Sequence, residues 1–264
     1  MIELKDVHVT FNSGTPLETR ALCGVDLKVP EGQFLTVIGS NGAGKSTSLN
    51  VMAGLAPVSK GKVIVAGDDV TDWPVHKRSK FLSRVFQDPK MGTCEDLSIL
   101  ENFALAYGRT AHRGFASGVT KEIRDYAASR LEVLGLGLEN RLNDKVGLLS
   151  GGQRQAVSLL MATTGDTKVL LLDEHTAALD PKTADSILQL SKSIVAEMGL
   201  TAVMVTHSMA QALQTGERTV MFHRGKIVFD ATGSERDGMQ VEDLLALFKQ
   251  QQGEELADDS LLLS

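Results

Sequence analysis

A glycine-rich segment between a buried strand and a helix constrains this chain more than any other feature. Phe34–Ile38 is an almost continuous apolar run, which is typical of a strand buried on both faces of a parallel sheet. Gly39–Ser46 follows at once and satisfies the pattern G-x-x-x-x-G-K-[ST], and Ser46–Gly54 then has helical character. Glycines let backbone N–H groups converge on phosphate oxygens, and a helix N-terminus adds partial positive charge. The segment therefore predicts a phosphate-binding loop.

The residue types in this loop predict ATP and Mg²⁺ as its ligands. Lys45 is expected to reach the β- and γ-phosphates, and the Ser46 hydroxyl is expected to ligate Mg²⁺. A dinucleotide is a weaker interpretation, because the pattern G-x-G-x-x-G is not matched here. The predicted ATP-binding residues of the loop are Gly39, Ser40, Asn41, Gly42, Ala43, Gly44, Lys45, Ser46 and Thr47.

Residue patterns divide the rest of the chain into three parts. The first third is predicted to form strands, at Ile2–Phe11, Ala21–Val29, Phe34–Ile38 and Lys62–Val65. The middle is predicted to be helical, at Leu97–Tyr107, Thr120–Leu134 and Gln153–Thr163. The last third alternates again, with strands at Lys168–Leu172, Thr201–Val205, Arg218–Phe222 and Lys226–Phe229 and helices at Pro181–Met198 and Ser208–Gln214. This order predicts an α/β fold with a helical insertion, and an acidic, frayed tail beyond Gln250.

Two adjacent carboxylates follow the predicted strand that ends at Leu172. Ligands gather at the carboxyl ends of strands in open parallel sheets, so Asp173 is expected to hold Mg²⁺, usually through water. Glu174 is placed to accept a proton from the attacking water or to orient it. Alone, such a pair is as well explained by a solvated turn; together with the phosphate loop it indicates nucleotide hydrolysis.

Length and charge restrict the class of protein. The 264 residues allow one large α/β domain or two small ones, and the net charge of −6 favours neither nucleic acid nor an anionic membrane surface. Cys23 and Cys94 are expected to be free thiols in a reducing compartment. We expect no signal peptide, because the N-terminus lacks a basic region followed by an apolar run. We expect no transmembrane helix, because the sequence has no run of 18 or more apolar residues. Attachment to a membrane would therefore require a partner.

A second Ser/Gly cradle, Leu149–Gln155 (LSGGQRQ), resembles the signature sequence of the ABC ATPase superfamily. A serine and two glycines at a helix start can bind an anion through backbone N–H groups. In that family two cassettes pack head to tail. The resemblance therefore implies a homodimer in which the cradle of one copy meets the γ-phosphate held by the other, through Ser150, Gly151, Gly152 and Gln153.

Four further residues match landmarks of this family in the expected order. Phe11 corresponds to the aromatic that stacks on adenine, and Gln87 to the Q-loop glutamine that senses Mg²⁺ and γ-phosphate. Asp180 resembles the D-loop aspartate at the dimer interface, and His207 the H-loop histidine that contacts the γ-phosphate. Each alone has a plainer explanation as a core, surface or structural residue. Their order across nearly the whole chain indicates the family.

The resemblance implies the ATP-hydrolysing subunit of an ABC transporter, with a P-loop NTPase core, an antiparallel β subdomain and a helical signature subdomain. Residues 1–87 and 165–250 would form the core with the β subdomain, and residues 88–164 the helical subdomain, with 251–264 as the acidic tail. Expected partners are a second copy, an integral membrane permease and a substrate-binding lipoprotein, with no nucleic acid. The chain would then be cytoplasmic, held at the inner face of the cell membrane by the permease.

The resemblance implies that Glu174 and His207 are catalytic residues, and that the metal ligands are Ser46, Gln87 and Asp173. Most cassettes have proline where this chain has His175, and a tolerated substitution is favoured over a catalytic or pH-sensing role. The DEHTAALDP stretch resembles that of a bacterial branch of ATPases that accompany a permease and a substrate-binding lipoprotein. Some members of this branch are associated with aromatic amino acids.

Import is favoured over export, because the segment before the signature resembles importers and no membrane domain is fused. The substrate is expected to be a small solute, with an amino acid as one candidate. The alternative is a soluble ABC ATPase without a transporter. Chromosome and repair members of that kind carry long coiled-coil insertions between Gln87 and the signature, whereas here the interval is short.

Overall fold

The computed structural model describes residues 1–109 and 118–252, and side chains up to residue 250. The described chain forms two compact units, one comprising Met1–Arg78 with the residues from Gly199 onward and the other Ser79–Met198. The strands are β1 (Ile2–Phe11), β2 (Thr19–Val29), β3 (Phe34–Gly39), β4 (Lys60–Val65), β5 (Asp68–Asp69), β6 (Leu82–Val85), β7 (Val169–Asp173), β8 (Thr201–Val205), β9 (Arg218–His223) and β10 (Lys226–Thr232). The α-helices are α1 (Lys45–Ala53), α2 (Val75–Arg78), α3 (Ile99–Tyr107), α4 (Lys121–Glu132), α5 (Gly151–Ala162), α6 (Pro181–Met198), α7 (Met209–Thr215), α8 (Ser234–Asp237) and α9 (Val241–Gln252).

The first unit contains an antiparallel sheet and a parallel one. The antiparallel sheet has the order β2-β1-β4-β5, which accounts for the alternating burial along β1. In the parallel part, β3 lies between β8 and β9 and runs parallel to both, while β10 returns antiparallel to β9. Phe34–Ile38 is buried throughout, as expected of a strand covered on both faces.

The C-terminal end of α1 is held by a buried arginine. Arg78 donates to the carbonyls of Val51 at 2.6 Å and Met52 at 3.0 Å, and also to those of Thr71 and Trp73. A cation at a helix C-terminus satisfies orphan carbonyls and opposes the negative end of the helix dipole. Burial lowers the pKa of Arg78 from its ordinary value. This side chain therefore fixes the far end of the helix that begins at the phosphate loop.

The second unit contains helices α3 to α6 and the parallel ladder between β6 and β7. β6 and β7 pair in parallel with Leu82 opposite Val169 and Arg84 opposite Leu171. Short 3₁₀ helices occupy Pro89–Gly92, Leu138–Asn140 and Val146–Leu148. Both α3 and α5 begin with a serine in a capping box, which defines where these helices start.

Most of the predicted elements are confirmed. The strands at Ile2–Phe11 and Thr201–Val205 and the helix at Pro181–Met198 have the predicted bounds. The other predicted elements differ at their ends by one to three residues, for example β2, which begins at Thr19. The expected combination of an α/β core, an antiparallel sheet and a helical region is also confirmed. The subdomain boundaries near residues 88 and 164 stay a prediction.

Several elements were not predicted from the sequence. They are β5, α2, β6, α8 and α9. Four of them span four residues or fewer, which is too short for a periodic pattern. Helix α9 is longer, and it buries Leu244 and Phe248 against Ile38 and Met221. The predicted acidic tail lies outside the described residues, apart from the backbone of the last turn of α9. In the described ranges 1–109 and 118–252, no helix has the length and apolar character needed to span a membrane.

Candidate functional site

The phosphate loop connects β3 to α1 and is organised around Lys45. The Nζ of Lys45 donates to the carbonyls of Gly39 at 2.7 Å and Ser40 at 2.9 Å. Gly39, Gly42 and Gly44 have φ values of 143°, 74° and 107°, which side-chain-bearing residues rarely adopt. The loop therefore curls around its own lysine and places it at the start of α1, where a phosphate would find a cation together with the amide groups of a helix N-terminus.

The turn between β9 and β10 packs against the phosphate loop and hydrogen-bonds it. The N–H of Gly225 donates to the carbonyl of Ala43 at 2.9 Å, and the N–H of Cys23 donates to the carbonyl of Gly225 at 2.9 Å. A Cβ on Gly39 would lie 2.2 Å from the carbonyl oxygen of Phe222. Backbone from two other strands therefore contacts the loop so closely that only glycine fits. The contact between Gly225 and the loop was not predicted, because Ala43 and Gly225 lie far apart along the chain.

The predicted acidic pair lies at the carboxyl end of β7. Leu170, Leu171 and Leu172 are fully buried, and Asp173 is the last residue of the strand. Glu174 follows with φ of 48°, in the left-handed region. This conformation is unusual for a residue with a long side chain and is found at functional sites more often than elsewhere. The extended conformation of β7 therefore ends between the two carboxylate residues.

Arg84, which the sequence did not single out, contacts Asp173. It is the third residue of β6, and its Nη2 donates to Oδ2 of Asp173. Its guanidinium also lies over the ring of Phe86, with Cζ 4.9 Å from the ring centroid. Strand register brings the two charges together, because β6 runs parallel to β7.

The donors predicted for a magnesium ion are a hydroxyl, an amide and a carboxylate oxygen, which are groups that Mg²⁺ accepts as ligands. The Asp173 carboxylate already neutralises one positive group in this structure, so its position suits a cation. Among residues 1–109 and 118–252, no cluster of three or more acidic, histidine or cysteine side chains could hold a metal alone. Mg²⁺ is usually held by one or two carboxylates, with water and substrate phosphates completing its shell. A site that depends on bound ATP is consistent with both observations.

Gln87 is exposed and immediately follows Phe86, whose carbonyl accepts a hydrogen bond from Nε2 of Gln155 at 3.1 Å. Asp88 then caps the 3₁₀ helix at Pro89–Gly92 by accepting from the N–H of Lys90 at 2.9 Å. The Gln87 segment is therefore anchored on both sides while its own side chain faces solvent.

The predicted signature cradle forms the start of α5. Ser150 is the N-cap: its hydroxyl accepts from the N–H of Gln153 at 3.3 Å, and the Gln153 side chain accepts from the N–H of Ser150 at 3.1 Å. Ser150 is exposed, as a residue that acts on another copy would need to be. A Cβ on Gly152 would lie 2.3 Å from Cγ2 of Thr183, so α5 approaches α6 closely at this glycine. The hydroxyl of Thr183 hydrogen-bonds the Asp180 carboxylate, and the N–H of Thr183 donates to its Oδ1 at 3.1 Å; these bonds, the hydroxyl's first, lower the pKa of that carboxyl.

Two predicted residues lie at strand ends in the first unit. Phe11 ends β1 and is 37% exposed, so its ring is available for stacking. His207 follows β8 and precedes Ser208, the N-cap of α7. It is partly buried. Both positions suit a ligand-facing side chain.

His175 is completely enclosed. Its Nε2 lies 2.9 Å from the Ser191 hydroxyl, which donates to the carbonyl of Ile187 at 2.8 Å. Burial lowers the pKa of His175 to about 4, so the ring is neutral at physiological pH. This environment favours the structural interpretation of the histidine.

The site residues are thus divided between the two units. The first unit contains Phe11, Gly39 to Thr47 and His207. The second contains Gln87, Ser150 to Gln153, Asp173, Glu174 and Asp180. Within the second unit, hydrogen bonds and close packing connect α5 both to the Gln87 segment and to the Asp180 loop.

Comparisons with known proteins fit this geometry. Residues 22–177 match the family model described as ABC transporter. The chain is 38% identical over 252 residues to the tyrosine transport ATP-binding protein of Clostridioides difficile strain R20291, covering 94% of this chain and 99% of that protein. It is 37% identical over 233 residues to the methionine import ATP-binding protein MetN of Halalkalibacterium halodurans, covering 86% of this chain and only 65% of that relative.

A solved structure has the same fold. It is the dimeric structure of a post-hydrolysis state of the ATP-binding cassette MJ0796 bound to ADP and Pi, which superposes with a TM-score of 0.76 at 33% sequence identity. The match covers 88% of this chain and 98% of the other.

Proposed function

Because this chain belongs to the ABC transporter family and is an ATP-binding protein that couples ATP hydrolysis to transport, we propose that it powers the import of an amino acid through a separate membrane permease. The observation that carries this proposal is the near full-length similarity to the tyrosine transport ATP-binding protein. Other relatives are named as importers of methionine and of spermidine or putrescine. An aromatic amino acid is the solute that this similarity favours.

We assign the chemistry residue by residue. Lys45 and the loop amides would bind the phosphates of ATP, with Phe11 against the adenine. Ser46, Asp173 and Gln87 would hold the metal, and bound Mg²⁺ would neutralise charge on the phosphates.

The remaining groups would act on the attacking water and the γ-phosphate. The Glu174 carboxylate would accept a proton from the water and aim its oxygen at phosphorus. The imidazole of His207 would hydrogen-bond the γ-phosphate oxygens and stabilise the charge that develops there. The proton released by the water would remain on Glu174 until the phosphate leaves.

A second copy would complete each site. The exposed Ser150 and the amide groups at the start of α5 would form an anion-binding cradle, and the phosphate loop belongs to the other unit. We propose that it contacts the γ-phosphate bound to a twin subunit, with Asp180 at the shared interface. ATP would then stabilise the closed dimer, and hydrolysis would remove that stabilisation.

The permease would dock on the second unit. A cavity of about 350 Å³ opens beside the Gln87 segment and is lined by Phe86, Met91, Cys94, Leu105 and Met161 among others. Met91 and Leu105 are 70% and 53% exposed, although both are apolar. We propose that a cytoplasmic helix of the permease covers them, which would hold the chain at the inner face of the membrane. A substrate-binding lipoprotein would complete the importer.

Uptake of radiolabelled tyrosine tests the function. Cells of the source organism that lack this chain should lose uptake, and the wild-type chain should restore it whereas Glu174→Gln should not. Methionine and spermidine uptake serve as controls for solute class. Normal uptake of all amino acids in the deleted cells would instead favour an ABC ATPase that works without a transporter.

A further inference from the structure

In the Arg84–Asp173 pair, a permanently charged guanidinium contacts the carboxylate that is proposed to hold the metal. The pair is shielded from solvent: the side chains are 10% and 15% exposed, respectively. Ion pairs that water reaches poorly are screened less than surface pairs and so hold their partners more firmly. Arg84 is therefore a substantial partner of Asp173 in this structure.

A guanidinium and a divalent metal compete for such a carboxylate. Both are attracted by the same negative charge, and they repel each other when they share it. Whichever cation is bound weakens the binding of the other. We propose that Arg84 is an internal competitor of Mg²⁺ for Asp173, and that it neutralises this carboxylate until metal and nucleotide displace it. The inference rests on the proposed role of Asp173 as a metal ligand.

The surroundings of Arg84 allow it to release Asp173. Its guanidinium already contacts the face of Phe86, and a cation–π contact retains part of the stabilisation when the ion pair opens. Arg84 also lines the cavity of about 350 Å³ whose rim includes the exposed Met91. The charged group can therefore turn toward a solvent-accessible space, and release does not leave a buried, unpaired cation.

The proposed competition reduces the amount by which the metal strengthens ATP binding. If Arg84 must first leave Asp173, the apparent affinity for the metal falls by the fraction of molecules in which the pair is open. If Asp173 holds the metal of MgATP as proposed, Arg84 would also offset the repulsion between this carboxylate and the ATP phosphates when metal is absent. Removing the guanidinium should weaken metal-free ATP binding and strengthen metal-dependent binding.

Equilibrium binding of a fluorescent ATP analogue measures this directly. The readout is the ratio of the Kd in excess EDTA to the Kd in excess Mg²⁺, for the full-length chain. Arg84→Met, which keeps the apolar stem, should raise this ratio about tenfold. Arg84→Lys keeps the charge but loses the planar fork, so it should raise the ratio by a smaller factor of about three. A ratio that is unchanged or lowered in both variants would overturn the competition.

Asp173→Asn separates this inference from the proposed function. The Kd ratio of this variant should be lower than that of the wild type. Adding Arg84→Met to Asp173→Asn should then leave the ratio unchanged. If the Kd ratio of Asp173→Asn equalled that of the wild type, the metal role of Asp173 itself would be refuted. A lowered ratio there with no effect of Arg84→Met or Arg84→Lys would refute only the role of Arg84. Should Arg84→Met fail to fold by circular dichroism, Arg84→Lys alone decides.

Discussion

The N–H of Gly225 donates to the carbonyl of Ala43 at 2.9 Å, so the turn between β9 and β10 supports the phosphate loop from outside. The same glycine accepts from Cys23, which connects the antiparallel sheet to the loop through one residue. A Cβ on Gly225 would lie 2.8 Å from the carbonyl oxygen of Ala21. The loop geometry therefore depends on backbone contacts with distant strands as well as on its own glycines.

Gly225→Ala should weaken ATP binding by about tenfold or more, equivalent to about 1.4 kcal/mol, because the clash displaces the turn from Ala43. Gly32→Ala is a matched control. Its φ of 77° equals that of Gly225 within a degree, but nothing lies within 4 Å of the added Cβ. Both variants should lose about 1 kcal/mol of folding free energy from backbone strain. Titration with a fluorescent ATP analogue distinguishes them, and equal affinities would show that the brace is unimportant.

Glu174→Gln should retain ATP and accumulate a dimer while hydrolysis falls by about 100-fold or more, because the amide cannot accept the proton from water. Phosphate release and size-exclusion chromatography with ATP are the measurements. Glu132→Gln, on the exposed end of α4, makes the same chemical change away from the site and should hydrolyse normally. Normal turnover in Glu174→Gln would rule out this residue as the base.

Ser150→Arg and Lys45→Ala should each abolish hydrolysis, yet a mixture of the two should recover part of it. A mixed dimer has both defects in one shared site and leaves the other site intact. Ser98→Arg is the control for the loss of a helix cap, since Ser98 caps α3 through the same kind of capping box. Its loss should cost about 1 kcal/mol of folding free energy without affecting hydrolysis. Failure of the mixture to recover activity would contradict sites shared between two copies.

His175 should make the folded protein sensitive to acid. Its pKa is about 4 in the folded state, below the ordinary 6.5, so the unfolded chain binds the proton more readily. The associated stability is present above pH 6.5 and is lost as the pH falls toward 4, by about 3 kcal/mol in total. Urea unfolding of the nucleotide-free chain across this range measures the loss. His175→Gln should have a shallower slope, and an identical slope would place the sensitivity elsewhere.

The sequence predicted what depends on local pattern. The phosphate loop, the strand before it and the helix Pro181–Met198 follow from motif spacing, apolar runs and a proline at the first turn. It did not predict Arg84, because that contact depends on the register between β6 and β7. Gly225 was missed for the same reason: its importance is a distance to backbone that is remote along the chain. The burial of His175 is likewise a tertiary property.

The close approach of Gly152 to Thr183 has a mechanical consequence. A glycine that admits a methyl group to within contact distance leaves no room for α5 and α6 to slide past each other. We therefore expect the start of α5, with Ser150, and the loop at Asp180 to move together. In a dimer, a displacement of one of these two segments at the face toward the twin subunit would then be passed on to the other.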